Sequence, residues 1–390
     1  MRKILGLFLL AALLAGADRG RAEPAFSARR LADGAEILTP EQAVLVEFES
    51  DRIVHVTKRP RDAGPARPSL IILPGRGTPL VSYAEEPDRI VLGSGALRVS
   101  VARGDGAVSW SEPSGAPILE EIGGAQLTPA AEPGTCSASV RFKLKPDEGI
   151  YGLGQHQSGL MDYRGHTVTL VQSNTQSAIP FLVSTRGYGI LWDNYSKTVV
   201  ADSPAGCSFW SEIGEGADYH FIYGGSIDGA IAGYRRLTGA APLYGKWAYG
   251  YFQSKEHYAS REELLRIAAE YRARHLPIDC LVQDWDYWGD SRDSWNGMTF
   301  DPGRYPRPTE MIDALHREHL HFMISIWCGF GPGTAVYRDL DRRGMLYPTV
   351  GWAGFRYYDA YNPAATDLYW KYLNQGLFRH GVDGWWMDST

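Results

Sequence analysis

Three side chains that could do chemistry sit at the ends of short apolar runs. Asp284 follows Cys280-Leu281-Val282-Gln283, Trp327 closes Met323-Ile324-Ser325-Ile326, and Asp388 closes Trp385-Trp386-Met387. An ionised carboxylate accepts hydrogen bonds from neighbouring hydroxyls or attacks an electrophilic carbon, and an indole offers a flat apolar face with a polar edge. Each also has a plainer use: an aspartate leaving a strand readily caps the next helix, and a tryptophan is largely buried in most proteins. Asp286, two residues past Asp284, faces the same mouth or a neighbouring loop, and Phe252, taken as the end of an earlier strand, follows the logic of Trp327. His156 stands in the turn Gly154-Gln155-His156-Gln157, where packing competes with a role at a site. His316 and His319 are helical i,i+3 neighbours and His321 has left the helix. With no carboxylate-rich partner strand nearby, no metal is predicted there.

The elements that must position these residues show two textures, changing near residue 240. From Trp247 onward strand-like and helical stretches alternate: Trp247 to Phe252, a helix after Ser260-Arg261-Glu262-Glu263, Asp279 to Gln283, a helix from Pro308 to His319, His321 to Trp327, a helix opened by Asn362-Pro363, and Val382 to Met387. Repeating strand and helix units imply a parallel sheet. Reactive residues leaving the carboxyl ends of several strands favour a (β/α)8 barrel, of which about four units are present. A doubly wound nucleotide-binding sheet would carry a glycine fingerprint, and Gly152-x-Gly154 is not completed at Gln157. Before residue 240, runs such as Ala43 to Phe48, Leu97 to Val101, Ser137 to Leu144 and Gly189 to Trp192 alternate with Gly, Pro and Asp clusters. They read as an antiparallel β-sandwich, left by a helix at Ile227 to Leu237.

Arg2 and Lys3 precede an apolar stretch from Ile4 to Ala17, the layout of a secretory signal peptide cleaved after Ala17 or Ala22. The domains expected are therefore 1–22, a signal peptide; 23–240, a sandwich; and 241–390, the first half of a barrel. The mature protein is expected to be exported, periplasmic or secreted. Lys and Arg number 39 against 45 Asp and Glu, a net charge of −6, which excludes a nucleic-acid partner resting on basic charge. Aromatic residues reach 12%, including 12 Trp, a supply that suits stacking on sugar rings. Cys136, Cys207, Cys280 and Cys328 lack zinc spacing, and a bridge between Cys136 and Cys207 is left open.

Gly384-Trp385-Trp386-Met387-Asp388-Ser389-Thr390 resembles the nucleophile motif of glycoside hydrolase family 31, the retaining α-glucosidases and α-xylosidases. Tyr151-Gly152-Leu153-Gly154-Gln155 is similar to the family's sandwich signature. Leu276-Pro277-Ile278-Asp279 with Gln283-Asp284-Trp285-Asp286-Tyr287 is similar to its second-strand motif, and Phe300-Asp301 with Tyr305-Pro306 to the loop that follows. The resemblance implies an N-terminal galactose-mutarotase-like β-sandwich followed by a (β/α)8 barrel. It implies no metal or organic cofactor, an oligosaccharide as the partner, and no membrane partner once the leader is removed.

A retaining glycosidase uses one carboxylate to attack the anomeric carbon and a second carboxyl, about 5–5.5 Å away, to protonate the leaving oxygen. The resemblance implies Asp388 as nucleophile, Asp284 as the ligand of sugar hydroxyls, and Trp327, Trp386 and Phe252 as aromatic walls, with Asp286 ranked after Asp284. The family's sandwich sends a loop over the barrel mouth, often with an aspartate. The matching Val171-Gln172-Ser173-Asn174-Thr175 holds no acid, which leaves Asn174 and His156 as contacts from that side. The family's acid/base aspartate lies downstream of the nucleophile, so the resemblance implies a fragment with little activity alone. Trp327 to Thr334, Tyr358 to Pro363 and the paired tryptophans look most like bacterial exported α-xylosidases, implying removal of α-linked xylose from the non-reducing end of xyloglucan-type oligosaccharides. The alternatives are an α-glucosidase or α-transglucosylase of the same family and a non-catalytic carbohydrate-binding protein.

Overall fold

The computed structural model describes residues 26–389 except 65, 76 and 78. The predicted leader lies outside the described residues, as does Thr390. The chain divides into two compact units between Ala241 and Pro242.

In the first unit, alternation of apolar and polar residues produces strands with one buried face. Gln42–Ser50 buries Val44, Val46 and Phe48, and Cys136–Lys143 buries Ala138, Val140 and Phe142, the period of two that a half-buried strand requires. An antiparallel sheet of eight strands runs from Ser27–Arg30 at one edge to Ile150–Gln155 at the other, and a second antiparallel sheet has ten. One core joins them, with Trp110, Phe142, Trp192, Phe209, Tyr219 and Phe221 among its largest side chains. Inside this sandwich Lys58 and Glu121 form a fully enclosed ion pair. Lys58 Nζ also donates to the Gly106 carbonyl at 2.9 Å, while Glu121 accepts from Val108 N and the Tyr219 hydroxyl, both at 2.6 Å. The four cysteines are free thiols. Cys136 pairs with Gly214 and Cys207 with Phe142, at opposite ends of one ladder. At ~3.3 Å per residue they stand roughly 20 Å apart, which closes the question of a bridge. Ser226 Oγ accepts from Gly229 N at 3.0 Å and starts the helix Ile227–Thr238.

The second unit is built on four parallel strands in chain order: Phe252–Ser254, Cys280–Gln283, His321–Trp327 and Gly384–Asp388. The first is a correction, because Trp247 to Phe252 is not a strand; Lys246–Tyr249 is a 3-10 turn and the strand begins at Phe252. Asp279 holds this entry. Its carboxylate accepts from Tyr251 N at 3.0 Å and presses against Gly250, where a Cβ would lie 1.9 Å away. Ser260 Oγ accepts from Glu263 N at 3.2 Å and the Glu263 carboxylate from Ala259 N at 2.7 Å, a capping box displaced by one residue that opens Arg261–Ala273. Pro308–Arg317 turns Met311, Ile312 and Leu315 into the core. Asn362 Oδ1 accepts from Ala364 N at 3.1 Å and opens Pro363–Gly376. Between the third strand and that helix the chain inserts a helix, Ala335–Arg342, and a small antiparallel sheet of Gly329–Phe330, Arg356–Tyr358 and Leu346–Val350. Strands this short carry no readable hydrophobic period, so the sequence does not announce them. No helix among the described residues is long and apolar enough to cross a membrane.

Candidate functional site

Across the third and fourth parallel strands, Ser325 lies opposite Trp386 and Trp327 opposite Asp388. Partners in a ladder project to the same face, and neighbours along a strand to opposite faces. Ser325, Trp327, Trp386 and Asp388 therefore share one face, and Ile324, Ile326, Trp385 and Met387 the other. The second face meets the helical layer: Ile324 and Ile326 join the core that contains Ile312 and Leu373, and the Trp385 ring lies 6.2 Å from that of Phe378. Val282 pairs with Met323, so Asp284, two residues on, projects to the side of Ser325. The carboxyl end of the sheet thus gathers two carboxylates, two indoles and a hydroxyl on the face away from the helices. Trp386 is 42% exposed there.

Asp388 is half-buried, and its Oδ1 accepts from Ser389 N at 2.8 Å. Ser389 takes a left-handed φ of 53°, and its carbonyl accepts from Cys328 Sγ at 2.8 Å. These contacts orient the acidic group at the strand end. Burial pushes the Asp284 carboxyl above the usual carboxylate range; the nearby negative charges of Asp388 and Glu256 push the same way, while the Ser325 hydroxyl and the Trp285 amide oppose them. Asp284 therefore senses the charge of Asp388, as a carboxyl placed beside a second carboxylate does. The Ser325 hydroxyl is buried and otherwise without a partner.

Trp327 is 8% exposed, with its ring edge-on to Trp295 at 4.9 Å and to Phe355 at 5.8 Å. Its carbonyl accepts from Asn296 Nδ2 at 2.7 Å and the Tyr369 hydroxyl at 3.1 Å, so the strand end is held by two elements that follow it in the chain or precede it. The indole N–H groups of Trp288, Trp295 and Trp327 are buried without an acceptor, and Trp288 and Trp295 lie 5.5 Å apart. A buried donor left unpaired costs about 1–3 kcal/mol, a cost that an incoming hydroxyl oxygen would relieve. Trp288 and Trp295 were not singled out from the sequence. The available signal was the density of Trp285, Trp288 and Trp295 within eleven residues.

Other candidates sit elsewhere. Phe252 opens its strand instead of ending it: it pairs with Cys280, which pairs with His321, at the amino end of the sheet. Its ring lies 5.8 Å from Trp247, which stacks on His321 at 4.2 Å, so the placement of Phe252 at the mouth is corrected to the sheet's opposite end. Asp286 takes a left-handed φ of 60°; burial raises its pKa, and the charges around it are His257, Asp290, Arg304 and Glu256, the last of which also acts on Asp284. In the sandwich unit, Asn174 is exposed on a two-residue turn closed by the bridge between Ser173 and Gln176. His156 Nε2 lies 2.8 Å from the Leu153 carbonyl and Nδ1 3.3 Å from Gln176 Oε1, so both ring nitrogens are engaged within that unit. His316 and His321 do meet a carboxylate: Asp383 lies 2.8 Å from His316 Nε2 and 3.2 Å from His321 Nδ1, and also accepts from Phe322 N at 2.8 Å. It ties helix to strand at the amino end.

Among the described residues, Glu49, His55 and His220 in the sandwich are grouped closely enough to consider a metal ion. His55 and His220 stack face to face at 4.3 Å and 8°, and His55 Nε2 is taken by Asp218 at 2.8 Å. Lone pairs of stacked, parallel imidazoles run side by side instead of converging, which is poor geometry for a tetrahedral ion.

With this geometry in view, comparison with known proteins is specific. The model of the glycosyl hydrolases family 31 TIM-barrel domain matches residues 241–390, and that of the glycosyl hydrolase 31 N-terminal galactose mutarotase-like domain matches residues 43–200. The chain belongs to glycoside hydrolase family 31. It is 36% identical over 357 residues to an α-xylosidase of Saccharolobus solfataricus, a match covering 89% of this chain and 48% of that protein. It is 24% identical over 275 residues to α-glucosidase 2 of Bacillus thermoamyloliquefaciens, covering 64% of this chain and 34% of the relative. The crystal structure of a family 31 α-xylosidase from Xanthomonas citri superposes with a TM-score of 0.82 at 27% identity, covering 92% of this chain and 57% of that one. An α-xylosidase from a soil metagenome, solved with xylose, gives 0.81 at 25% identity, covering 93% and 57%. The chain spans about half the length, or less, of the curated relatives it matches.

Proposed function

We propose that these residues supply the nucleophile and the sugar pocket of a retaining α-glycosidase that removes α-linked xylose from the non-reducing end of oligosaccharides. The observation that carries this reading is the register that sets Asp388 opposite Trp327, with Asp284 on the same face and close enough to feel its charge. In the first step an Asp388 oxygen attacks the anomeric carbon as the glycosidic bond breaks. The leaving oxygen takes a proton from a general acid, a role assigned to neither Asp284 nor Asp388, and a glycosyl ester of Asp388 remains. Water then adds to the same carbon, giving a proton back to that general acid, the ester breaks, and the sugar departs with its configuration retained. Asp284 accepts hydrogen bonds from the sugar hydroxyls and fixes the ring, while Trp327 excludes water from the reacting centre.

Xylose over glucose is supported by likeness to α-xylosidases in both sequence and fold. The physical discriminator is bulk where the glucose hydroxymethyl would lie, since a loose pocket separates the two by only about 1–3 kcal/mol. Export is proposed from the leader, and a mature protein beginning at Asp18 or Glu23 would support it.

The test is kcat/KM of the natural polypeptide carrying these residues, on aryl α-xyloside and aryl α-glucoside. A tenfold preference for the xyloside, about 1.4 kcal/mol, is expected, together with loss of about 10⁴-fold or more in Asp388→Asn. Preference for the glucoside would make it an α-glucosidase. Sugar binding with no turnover would support the binding-protein reading and end the enzymatic one.

A further inference from the structure

Trp352 is 65% exposed, yet it is not on a loose segment. It sits in the turn between Leu346–Val350 and Arg356–Tyr358, where Gly351 N donates to the Phe355 carbonyl at 2.8 Å and Gly354 N to the Gly351 carbonyl at 2.9 Å. Phe355 beneath it is fully buried and stacks on Trp295 at 5.7 Å and 21°. It packs so closely that a Cβ on Gly351 would lie 2.2 Å from its ring. Arg356 pins the base of the turn, donating to Asp341 at 2.8 Å and to the Tyr347 carbonyl at 2.8 Å. A large apolar ring held out of the core by such a support is pre-organised to make contact at little ordering cost.

The position of that ring points to its ligand. Trp352 meets Trp295 edge-on at 5.2 Å, Trp295 meets Trp327 at 4.9 Å, and Trp327 is the register partner of Asp388. Two ring-to-ring steps thus lead from the residue opposite the nucleophile to an exposed indole. Along this path the Trp295 N–H, on a residue 2% exposed, has no acceptor. An apolar face beside an unpaired donor suits a pyranose, which presents C–H groups on its faces and hydroxyl oxygens at its rim.

We propose that Trp352 is a stacking platform for the sugar that follows the cleaved residue, so that the inserted sheet selects oligosaccharides over single-ring substrates. The proposal rests on the reading of Asp388 as the reacting carboxylate. Its test uses the natural polypeptide, Trp352→Ala and Trp352→Tyr, with α-xylosyl fluoride as a substrate that has no second ring. The comparison substrates are a disaccharide of xylose α-linked to glucose and a longer xyloglucan oligosaccharide, or their gluco counterparts if glucose is preferred. Trp352→Ala is expected to leave kcat/KM on the fluoride within twofold and to raise KM on the oligosaccharides by about tenfold, with Trp352→Tyr recovering most of the loss. Equal losses on both kinds of substrate, or no loss on either, would overturn the platform. If the parent protein hydrolyses none of them, the glycosidase reading has failed, and the platform is then judged by tryptophan fluorescence titration with the same oligosaccharide. A saturating quench that Trp352→Ala abolishes supports it, and an absent or unchanged quench overturns it.

Discussion

The sandwich interior and the carboxyl end of the parallel sheet both enclose polar groups, and they treat them differently. Lys58 and Glu121 are completely buried, and the groups around them answer their charges: the Gly106 carbonyl on the lysine, the Val108 amide and the Tyr219 hydroxyl on the glutamate. At the sheet end, Asp284 is raised by burial and by Asp388, and Ser325, Trp295 and Trp327 hold polar atoms with little or nothing to bond. The sandwich has unpaired polar atoms of its own at Gln42, Arg103, Trp110, Asp193 and His220, but what marks the sheet end is the clustering of such groups beside two aspartates at neighbouring strand ends. Satisfied burial holds a fold together. Clustered, unsatisfied burial beside titratable groups is the signature of a site that a ligand completes.

Breaking the satisfied side should have the largest effect on stability. Lys58→Met leaves Glu121 buried without its counter-charge, and urea unfolding should show a loss of about 3–5 kcal/mol. If the loss were below ~1 kcal/mol, the ion pair would not be a structural element and the contrast with the sheet end would fail.

The unsatisfied side should respond in the opposite sense. Asp284 has a raised pKa in the folded state, so the folded chain keeps a proton that the unfolded chain has released. Its contribution to stability is therefore present below the ordinary aspartate value of about 3.9 and is lost as pH rises through the folded value. Asp284→Asn should flatten that part of the stability-pH curve while lowering kcat/KM by about 10²-fold, roughly 2.7 kcal/mol. A variant that lost stability at neutral pH and kept its activity would assign Asp284 to the fold.

A smaller effect sharpens the role of the indole. Trp327→Phe keeps an aromatic wall but removes the unpaired N–H, and a loss of about tenfold in kcat/KM is expected, near the lower range for a hydrogen bond in a site. Smallest of all is the response to reductant. With Cys136 and Cys207 at opposite ends of a ladder and all four thiols free, dithiothreitol should leave Tm unchanged; a fall of several degrees would show a disulfide.

Much of this site was legible before any tertiary structure. Asp284, Trp327 and Asp388 end apolar runs bounded by turn residues, and capping residues such as Ser260 and Asn362 announce helices of the same unit. Phe252 misled because an aromatic run, Trp247 to Phe252, looks like a strand, whereas Asp279 and Gly250 hold its first part in a turn. The inserted sheet and Trp352 were illegible because strands of two to five residues hold too few repeats of the two-residue period to stand out.

What the sequence by itself determined is the order of elements, the sandwich followed by strand and helix units, and the aspartates and tryptophans at the strand ends. Hydrophobic period, caps and turn residues act over a few neighbours, so a linear reading captures them. Tertiary structure alone decided that Trp327 stands opposite Asp388, that Asp284 shares its charge environment, and that Phe252 lies at the other end of the sheet. Register and burial arise between segments far apart in the chain, where one residue of slip would turn every side chain to the opposite face.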